Sequence, residues 1–370
     1  MTISILHIDD DKKDLKKFKD QFSKILVGKE NISYDTVYSN DILKKPDLFE
    51  GKKPDVILVD FKFEKGEPNE SILPFDGPSL INHLRKIFSD IPIFLFTKPE
   101  WINDVNFAKL NKIMDTTDEY ILKKNYLREN DIKSGIIFPI IKGYSNLRSS
   151  DERSVLGLFK LLKSPEIIQS DLLSIVPKDS LNESGNWSVF PIAKWIRKVL
   201  MNYPGLLYDE IEAATFLGIS LTEFKTKKIR DFFEPAIYKG PFSEEKRVWW
   251  KSELMAISDK LMTENEIFLS FNQGFSQMWK RKYGKKLEPA ICDDSGEYPA
   301  DSVCYILHKP IMMKYSLKYN IDERPRIMDD ARVSFKAIQT TSKVNPTFLD
   351  SDSIDIYEKL LKGKNGYKKS

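Results

Sequence analysis

Two stretches, ISILHIDDD at residues 3–11 and VILVDF at residues 56–61, indicate how the first part of this chain folds. Both are short apolar runs that contain β-branched residues and lead into aspartate. Two comparable runs follow, IPIFLF at 91–96 and YIL at 120–122. Runs of this length and composition are typical of strands that are buried on both faces of a sheet. The sequence therefore predicts a set of buried strands separated by other elements.

Amphipathic stretches lie between these apolar runs. Apolar residues recur at spacings of three and four residues in 15–26, in 80–87 and in 132–141, as they do on one face of a helix. Buried strands that alternate with helices predict an α/β domain with a parallel, doubly wound sheet. Ligands of such sheets bind at the carboxyl ends of the strands, near the point where the strand order reverses.

Charged and polar side chains stand at the ends of the predicted strands. Asp9 and Asp10 end the first strand and Asp60 ends the next strong one, so we expect their carboxylates to meet at one edge of the sheet. Mg2+ would relieve the repulsion between them and would also hold a phosphoryl group, because it binds through carboxylates, phosphate and water. Thr97 and Lys123 end the later strands and supply a hydroxyl and a cation for phosphoryl oxygens.

Five segments, in order, resemble those of a response-regulator receiver domain: ILHIDDD, PDVILVDF, DGPSLINHLRK, IPIFLFTK and DEYILKK. The resemblance covers about residues 3–146. It implies a five-stranded (βα)5 flavodoxin-like fold that receives a phosphoryl group from a histidine kinase or phosphotransfer protein. It also implies a role for each matching residue: Asp9 and Asp10 as the acidic pair that binds Mg2+ together with Asp60, Asp60 as the phosphoacceptor, Thr97 as the switch hydroxyl, Tyr120 as the aromatic switch and Lys123 as the cation that contacts the phosphoryl group.

The sequence departs from the family pattern beside the phosphoacceptor. Residues 61–75 contain an insertion of about nine residues before the Asp-Gly pair at 76–77. Lys62 and Lys98 stand where they could reach the phosphoryl pocket, and Lys124 replaces the proline that usually follows the strand-five lysine. No catalytic group is lost, so the sequence predicts an active receiver. We expect slow loss of its phosphoryl group, because Lys98 and the insertion obstruct the in-line approach of water.

A change in composition separates the receiver-like part from the rest. The polar stretch 147–153 is predicted to be a linker, and five of the six tryptophans follow it. Helical periodicity predicts a mainly helical region at 154–288, and strand-like runs predict a small α+β region at 289–370. The part after the receiver-like domain is thus expected to be α+β, and we recognise no family in it.

The segment IEAATFLGISLTEFKTKKIRDFF at 211–233 has the spacing of a helix-turn-helix. Gly218 would lie at the turn, and Lys225 and Lys228 would lie on the second helix, where DNA contacts are made. An ordinary helical corner explains the same spacing, and the balanced charge of the chain lacks the basic footprint of a DNA-binding protein. DNA binding is therefore an open alternative that the sequence does not favour.

Cys292, Cys304 and His308 form a C-x11-C-x3-H pattern near the end of the chain. A closed zinc site needs four ligands, and the paired C-x2-C signature is absent. Asp293 or Asp294 could supply a fourth ligand, but the sequence does not distinguish them. Buried thiols and a surface imidazole are the simpler interpretation, and whether these residues bind metal is left open.

Composition excludes several classes of protein. The 370 residues carry 58 basic and 55 acidic side chains, a balance that does not indicate nucleic acid or membrane surface as a partner. The apolar runs are too short to span a bilayer, the start has no cationic signal region, and two cysteines do not make a disulfide framework. We expect a cytoplasmic protein that does not contact the membrane.

These observations predict a two-component response regulator. It would accept a phosphoryl group on Asp60 with Mg2+ as cofactor and act on a downstream effector protein through a protein-interaction or phosphate-buffering region. The alternatives are a DNA-binding transcriptional regulator and an enzyme effector whose catalytic site we do not recognise. The only catalysis expected here is the Mg2+-dependent phosphorylation and dephosphorylation of the receiver itself.

Overall fold

The structure is a computed structural model that describes residues 2–22, 26–27, 30–44, 48–63, 75–97, 116–122, 137–267, 269–321 and 324–366. The chain divides into two compact units. The N-terminal unit consists of residues 1–154 and 177–194, and the C-terminal unit consists of residues 155–176 and 195–370. A short segment beyond the expected linker therefore belongs to the N-terminal unit. The boundary at 147–153 itself stays a prediction.

The N-terminal unit is built on a six-stranded sheet in the order β2-β3-β1-β4-β5-β6. The pairs β1 with β3, β1 with β4, β4 with β5 and β5 with β6 are parallel, and only the short edge pairing of β2 with β3 is antiparallel. The strands are β1 (Thr2–Asp9), β2 (Leu26–Val27), β3 (Glu30–Tyr38), β4 (Val56–Asp60), β5 (Ile93–Thr97) and β6 (Glu119–Leu122), and the helices are α1 (Lys12–Phe22), α2 (Ser39–Lys44), α3 (Gly77–Ile87) and α4 (Ile137–Arg148).

The predicted fold class is confirmed for this unit. Its parallel strands have the order of a flavodoxin-like doubly wound fold. Every side chain of β4 and β5 is buried, which explains why these strands are continuous apolar runs rather than alternating ones. Strand β3 lacked such a run: its sequence ENISYDTVY mixes polar and apolar residues, so periodicity did not single it out. Its place beside β1, at the outer side of the sheet, accounts for that polarity.

The strand register brings the functional ends together. Ile8 lies opposite Val59, so the residues that follow, Asp9 and Asp60, lie side by side at the same edge. Thr97 ends β5 one strand further along, because Asp60 is in register with Phe96. The three strand ends therefore form the contiguous edge that the sequence predicted.

Helix α3 approaches this edge very closely. Asp76 caps it by accepting a hydrogen bond from the Ser79 N–H at 3.0 Å, and Pro78 suits its first turn. The Gly77 N–H donates to the carbonyl of Phe61 at 3.1 Å. A Cβ on Gly77 would lie 1.9 Å from the carbonyl oxygen of Asp60, so a residue without a side chain is required there.

The C-terminal unit is helical with small two-stranded sheets, as expected for the part after the receiver-like domain. One of its core clusters contains buried aromatic side chains such as Phe224, Phe233, Trp249 and Trp279. A second cluster contains Cys292. The α-helices from residue 155 onward are α5 (Val155–Leu162), α6 (Gln169–Ile175), α7 (Val189–Trp195), α8 (Glu210–Phe216), α9 (Leu221–Phe224), α10 (Lys227–Phe232), α11 (Lys251–Thr263), α12 (Phe271–Tyr283), α13 (Phe335–Thr340) and α14 (Ser351–Gly366). The strands are β7 (Leu207–Tyr208), β8 (Trp249–Trp250), β9 (Ser302–Val303), β10 (Pro310–Ile311), β11 (Ser316–Lys318) and β12 (Arg332–Ser334). Helix α7 lies at the boundary of the two units.

Candidate functional site

Three carboxylates converge at the carboxyl edge of the sheet in the N-terminal unit. Asp9, Asp10 and Asp60 are buried, and each offers an oxygen within 4.8 Å of the others. Asp11, the third residue of the acidic run, has a different role. It caps α1, where its carboxylate accepts the N–H of Lys13 at 2.9 Å. The acidic run is thus divided between a helix cap and a convergent site.

The cluster has the donor chemistry of a hard divalent cation. Three buried carboxylates repel one another, and oxygen-only ligands at this spacing suit Mg2+ better than a metal that prefers nitrogen or sulfur. Asp9 keeps one oxygen engaged locally, because its Oδ1 accepts the Asp11 N–H at 2.8 Å. A bound cation would neutralise the remaining charge at this edge.

His7 and Tyr34 form a buried polar pair next to Asp9 that the sequence analysis missed. The Tyr34 hydroxyl and the Nδ1 of His7 are 2.9 Å apart, and the Nε2 of His7 lies 3.5 Å from the Oδ2 of Asp9. The imidazole packs edge-on against Phe18 and Phe96. Burial, with the charge of Asp9 adding to it, raises the pKa of the Tyr34 hydroxyl well above its usual value. The imidazole of His7 within the apolar run of β1 is the sequence signal that could have indicated this pair.

The other residues implied by the receiver resemblance are partly described. Thr97 is fully buried at the end of β5, beside the strand that ends in Asp60. Tyr120 lies in β6, opposite Leu95, but its side chain is outside the described residues. Lys123, Lys124, Lys98 and most of the insertion at 61–75 also lie outside them. The roles of all these side chains stay predictions.

Asp118 anchors the strand that leads toward Lys123. Its Oδ2 accepts the Ile93 N–H at 2.8 Å and lies 2.9 Å from the Arg85 guanidinium, while Tyr144 donates to its Oδ1. These contacts join β5, β6, α3 and α4. They hold the start of β6 in register with the strands that carry the acidic cluster.

The segment 211–233 forms a helical corner rather than two long helices. Helix α8 ends at Phe216, Gly218 has φ +67°, and the predicted second helix is divided into α9 and α10. A Cβ on Gly218 would lie 1.9 Å from the Asn272 carbonyl oxygen, so packing as well as backbone conformation requires glycine.

The basic side chains of this corner have partners within the C-terminal unit. Lys225 lies 3.3 Å from Glu210, and Arg230 contacts the same carboxylate. The Lys228 ammonium lies 4.0 Å from the ring centre of Tyr283. Lys227 pairs with Asp231 one turn along its own helix. These side chains stabilise the corner, which fits the ordinary helical interpretation better than an exposed DNA-binding face.

The pattern Cys292, Cys304 and His308 does not assemble into a common ligand set within the described residues. Both cysteines are buried in an apolar cluster, and the Cys304 Sγ accepts the N–H groups of Leu307 and Ser334 at 3.4 Å. The His308 Nε2 instead lies 2.8 Å from Asp209. The fold thus separates the imidazole from the thiols.

No helix that the structure describes has the length and apolarity needed to cross a bilayer.

No family model and no curated protein match the chain. Solved structures of response-regulator receiver domains match its N-terminal part. The response regulator TrrA of Thermotoga maritima, solved with Mg2+ and BeF, is 20% identical, and the match covers 35% of this chain and 95% of that chain with a TM-score of 0.25. A CheY-like receiver domain protein from Methanospirillum hungatei is 16% identical over 40% of this chain and 99% of that chain, with a TM-score of 0.29. For DrrB of Thermotoga maritima, an OmpR/PhoB homologue, the identity is 15%, the match covers 36% of this chain and 50% of that chain, and the TM-score is 0.25.

Proposed function

We propose that the chain is a two-component response regulator whose N-terminal unit accepts a phosphoryl group on Asp60. The observation that carries this proposal is the convergence of three buried carboxylates, from Asp9, Asp10 and Asp60, at the carboxyl edge of a parallel sheet. The sheet order and the buried Thr97 beside Asp60 support it. A histidine kinase or phosphotransfer protein would be the donor, and the cytoplasm would be the site of action.

Each residue of the edge contributes a distinct step. Asp9 and Asp10, with Asp60, would hold Mg2+, which supplies charge neutralisation for the incoming phosphoryl oxygens. The Asp60 carboxylate attacks phosphorus in line, and the donor nitrogen or acyl oxygen leaves as the phosphoryl group transfers. The Thr97 hydroxyl donates a hydrogen bond to the transferred group, and Lys123 would pair with its charge. Burial of the edge strengthens these interactions because water is excluded from it.

The C-terminal unit would transmit the phosphorylation state to a downstream effector protein. The internal pairing of Lys225, Lys228 and Arg230 supports a protein-interaction role over DNA binding, since those cations already stabilise the helical corner. A phosphate-buffering role of the C-terminal unit is the other form of this proposal. No observation favours the DNA-binding alternative enough to propose it.

Mass spectrometry after incubation with acetyl phosphate tests the proposal. We expect wild-type protein to gain one phosphoryl group when Mg2+ is present and to remain unlabelled when EDTA is added. Asp60→Asn should remain unlabelled in both conditions. Asp90→Asn is the matched control, because Asp90 is a half-exposed aspartate of the same unit outside the acidic cluster, and it should label like wild type. Equal labelling of Asp60→Asn and wild type would refute the assignment.

A further inference from the structure

The C-terminal unit contains a second group of convergent ligand atoms, and two of its three residues, Glu212 and His308, line a cavity of about 700 Å3. Asp209, Glu212 and His308 each offer an atom within 4.8 Å of the others. Two carboxylates come from the start of α8 and the imidazole comes from a distant part of the chain, near β10. Tyr208 and Asp329 line the same cavity, and Tyr208 donates a hydrogen bond to Asp329.

Helix capping accounts for only part of what Asp209 does. Its Oδ1 accepts the N–H groups of Ile211 and Glu212 at 3.0 and 3.1 Å, which is an ordinary N-terminal cap. Its Oδ2 is not used by the helix. It lies 2.8 Å from the His308 Nε2 and 3.1 Å from the Lys246 ammonium. One oxygen of Asp209 therefore serves the fold, while the other faces a mixed group of side chains.

The two carboxylate oxygens of Glu212 also differ in their contacts. Its Oε2 accepts the Asp209 N–H at 2.8 Å, and no residue that the structure describes is hydrogen-bonded to its Oε1. Burial, with the charge of Asp209 adding to it, raises the pKa of Glu212 to about 7. One turn further along α8, the buried hydroxyl of Thr215 lines the cavity without a hydrogen-bond partner among the described residues. This wall of the cavity thus presents polar atoms that protein contacts do not satisfy.

A cation already competes for the group. The ammonium of Lys246 lies 3.1 Å from the Oδ2 of Asp209, which His308 also hydrogen-bonds, and 44% of the Lys246 side chain is exposed. His308 is also about half exposed, so an ion can reach the three ligand atoms. Replacing this partly exposed ammonium by a divalent ion would offset the repulsion between the two close carboxylates more completely.

We propose that Asp209, Glu212 and His308 bind a divalent transition-metal ion of the Zn2+ class, with remaining coordination positions open to the cavity. One imidazole and two carboxylates suit Zn2+ or Mn2+ rather than Mg2+, which prefers oxygen ligands and an octahedral shell. Three protein ligands leave room for water or a ligand group, as in reactive zinc sites. This inference does not depend on the function proposed for the N-terminal unit.

Isothermal titration calorimetry of the full chain with Zn2+ tests the site. Excess Mg2+ is included to occupy the acidic cluster around Asp60. We expect one tight Zn2+ site in wild type. His308→Ala and Glu212→Gln should each weaken its affinity by at least roughly tenfold. Lys246→Met should instead tighten it about two- to fivefold, because an exposed competing charge is removed. Lys343→Ala, which changes a cation on the cavity wall outside the cluster, should leave the affinity unchanged.

The opposite changes in Zn2+ affinity expected for His308→Ala and Lys246→Met distinguish a metal site from a purely structural cluster. A purely structural ion pair between Lys246 and Asp209 would make Lys246→Met neutral or harmful to Zn2+ binding. Unchanged Zn2+ affinity in His308→Ala, or no gain of affinity in Lys246→Met, would overturn the proposal. Should His308→Ala fail to fold in a thermal melt, Lys246→Met still decides the question, because the Lys246 side chain is partly exposed and its replacement leaves the core intact.

Discussion

Replacing Gly77 by alanine tests how closely the phosphoacceptor depends on α3. The added Cβ would lie 1.9 Å from the carbonyl oxygen of Asp60 and 2.9 Å from its carbonyl carbon. Neither atom belongs to a side chain that can rotate away. To reach an ordinary contact distance, the start of α3 or the end of β4 must therefore move by roughly 1.5 Å.

The magnitude follows from two opposing effects. Alanine is favoured over glycine in a helix by up to about 1 kcal/mol. Forcing an extra methyl group into a packed site costs about 1–3 kcal/mol, and contact with backbone atoms places Gly77→Ala at the upper end. We expect a net loss of about 2 kcal/mol in the free energy of unfolding. Because the displaced residue is Asp60 itself, labelling by acetyl phosphate should also slow.

Urea unfolding and the labelling time course measure the two effects together. Gly51→Ala is the matched control: Gly51 has φ +71°, and no atom lies within 4 Å of the position that an added methyl group would take, so the variant suffers backbone strain but no clash. It should lose about 1–2 kcal/mol of stability and label at the wild-type rate. The reasoning fails if Gly77→Ala is as stable as wild type and labels equally fast.

Three further predictions concern other parts of the molecule. Tyr34→Phe should cost about 1–3 kcal/mol in urea unfolding, because it removes a buried hydrogen bond to His7, and should weaken Mg2+ binding measured by calorimetry; unchanged values for both would contradict the role of this pair. In EDTA, the free energy of unfolding of Glu212→Gln should exceed that of wild type by up to about 3 kcal/mol as pH rises from 4.5 to 7, because wild type loses stability when the raised-pKa carboxyl of Glu212 loses its proton. Parallel curves of unfolding free energy against pH for the two proteins would contradict this. Lys225→Ala should leave the affinity for duplex DNA at low salt unchanged from wild type, because the Lys225 ammonium pairs with Glu210. A weaker dependence of DNA affinity on salt in Lys225→Ala than in wild type would revive the DNA-binding alternative.

The sequence was sufficient to predict the fold of the N-terminal unit and the convergence of Asp9, Asp10 and Asp60. Both predictions depend on local patterns. Apolar runs identify buried strands, and in a parallel sheet the residues that follow those runs must meet at one edge. The strand at 30–38 escaped the same reasoning because it lies farther out in the sheet and carries polar residues.

Contacts between distant segments could be decided only by the tertiary structure. Cys304 and His308 are close in sequence, yet packing directs the thiol into an apolar cluster and the imidazole to Asp209. The basic residues around 225–230 suggested DNA in the sequence, whereas folding supplies Glu210 and the Tyr283 ring as partners. A side chain's partner depends on which elements pack beside it, and no local periodicity encodes that choice across some 100 residues of chain.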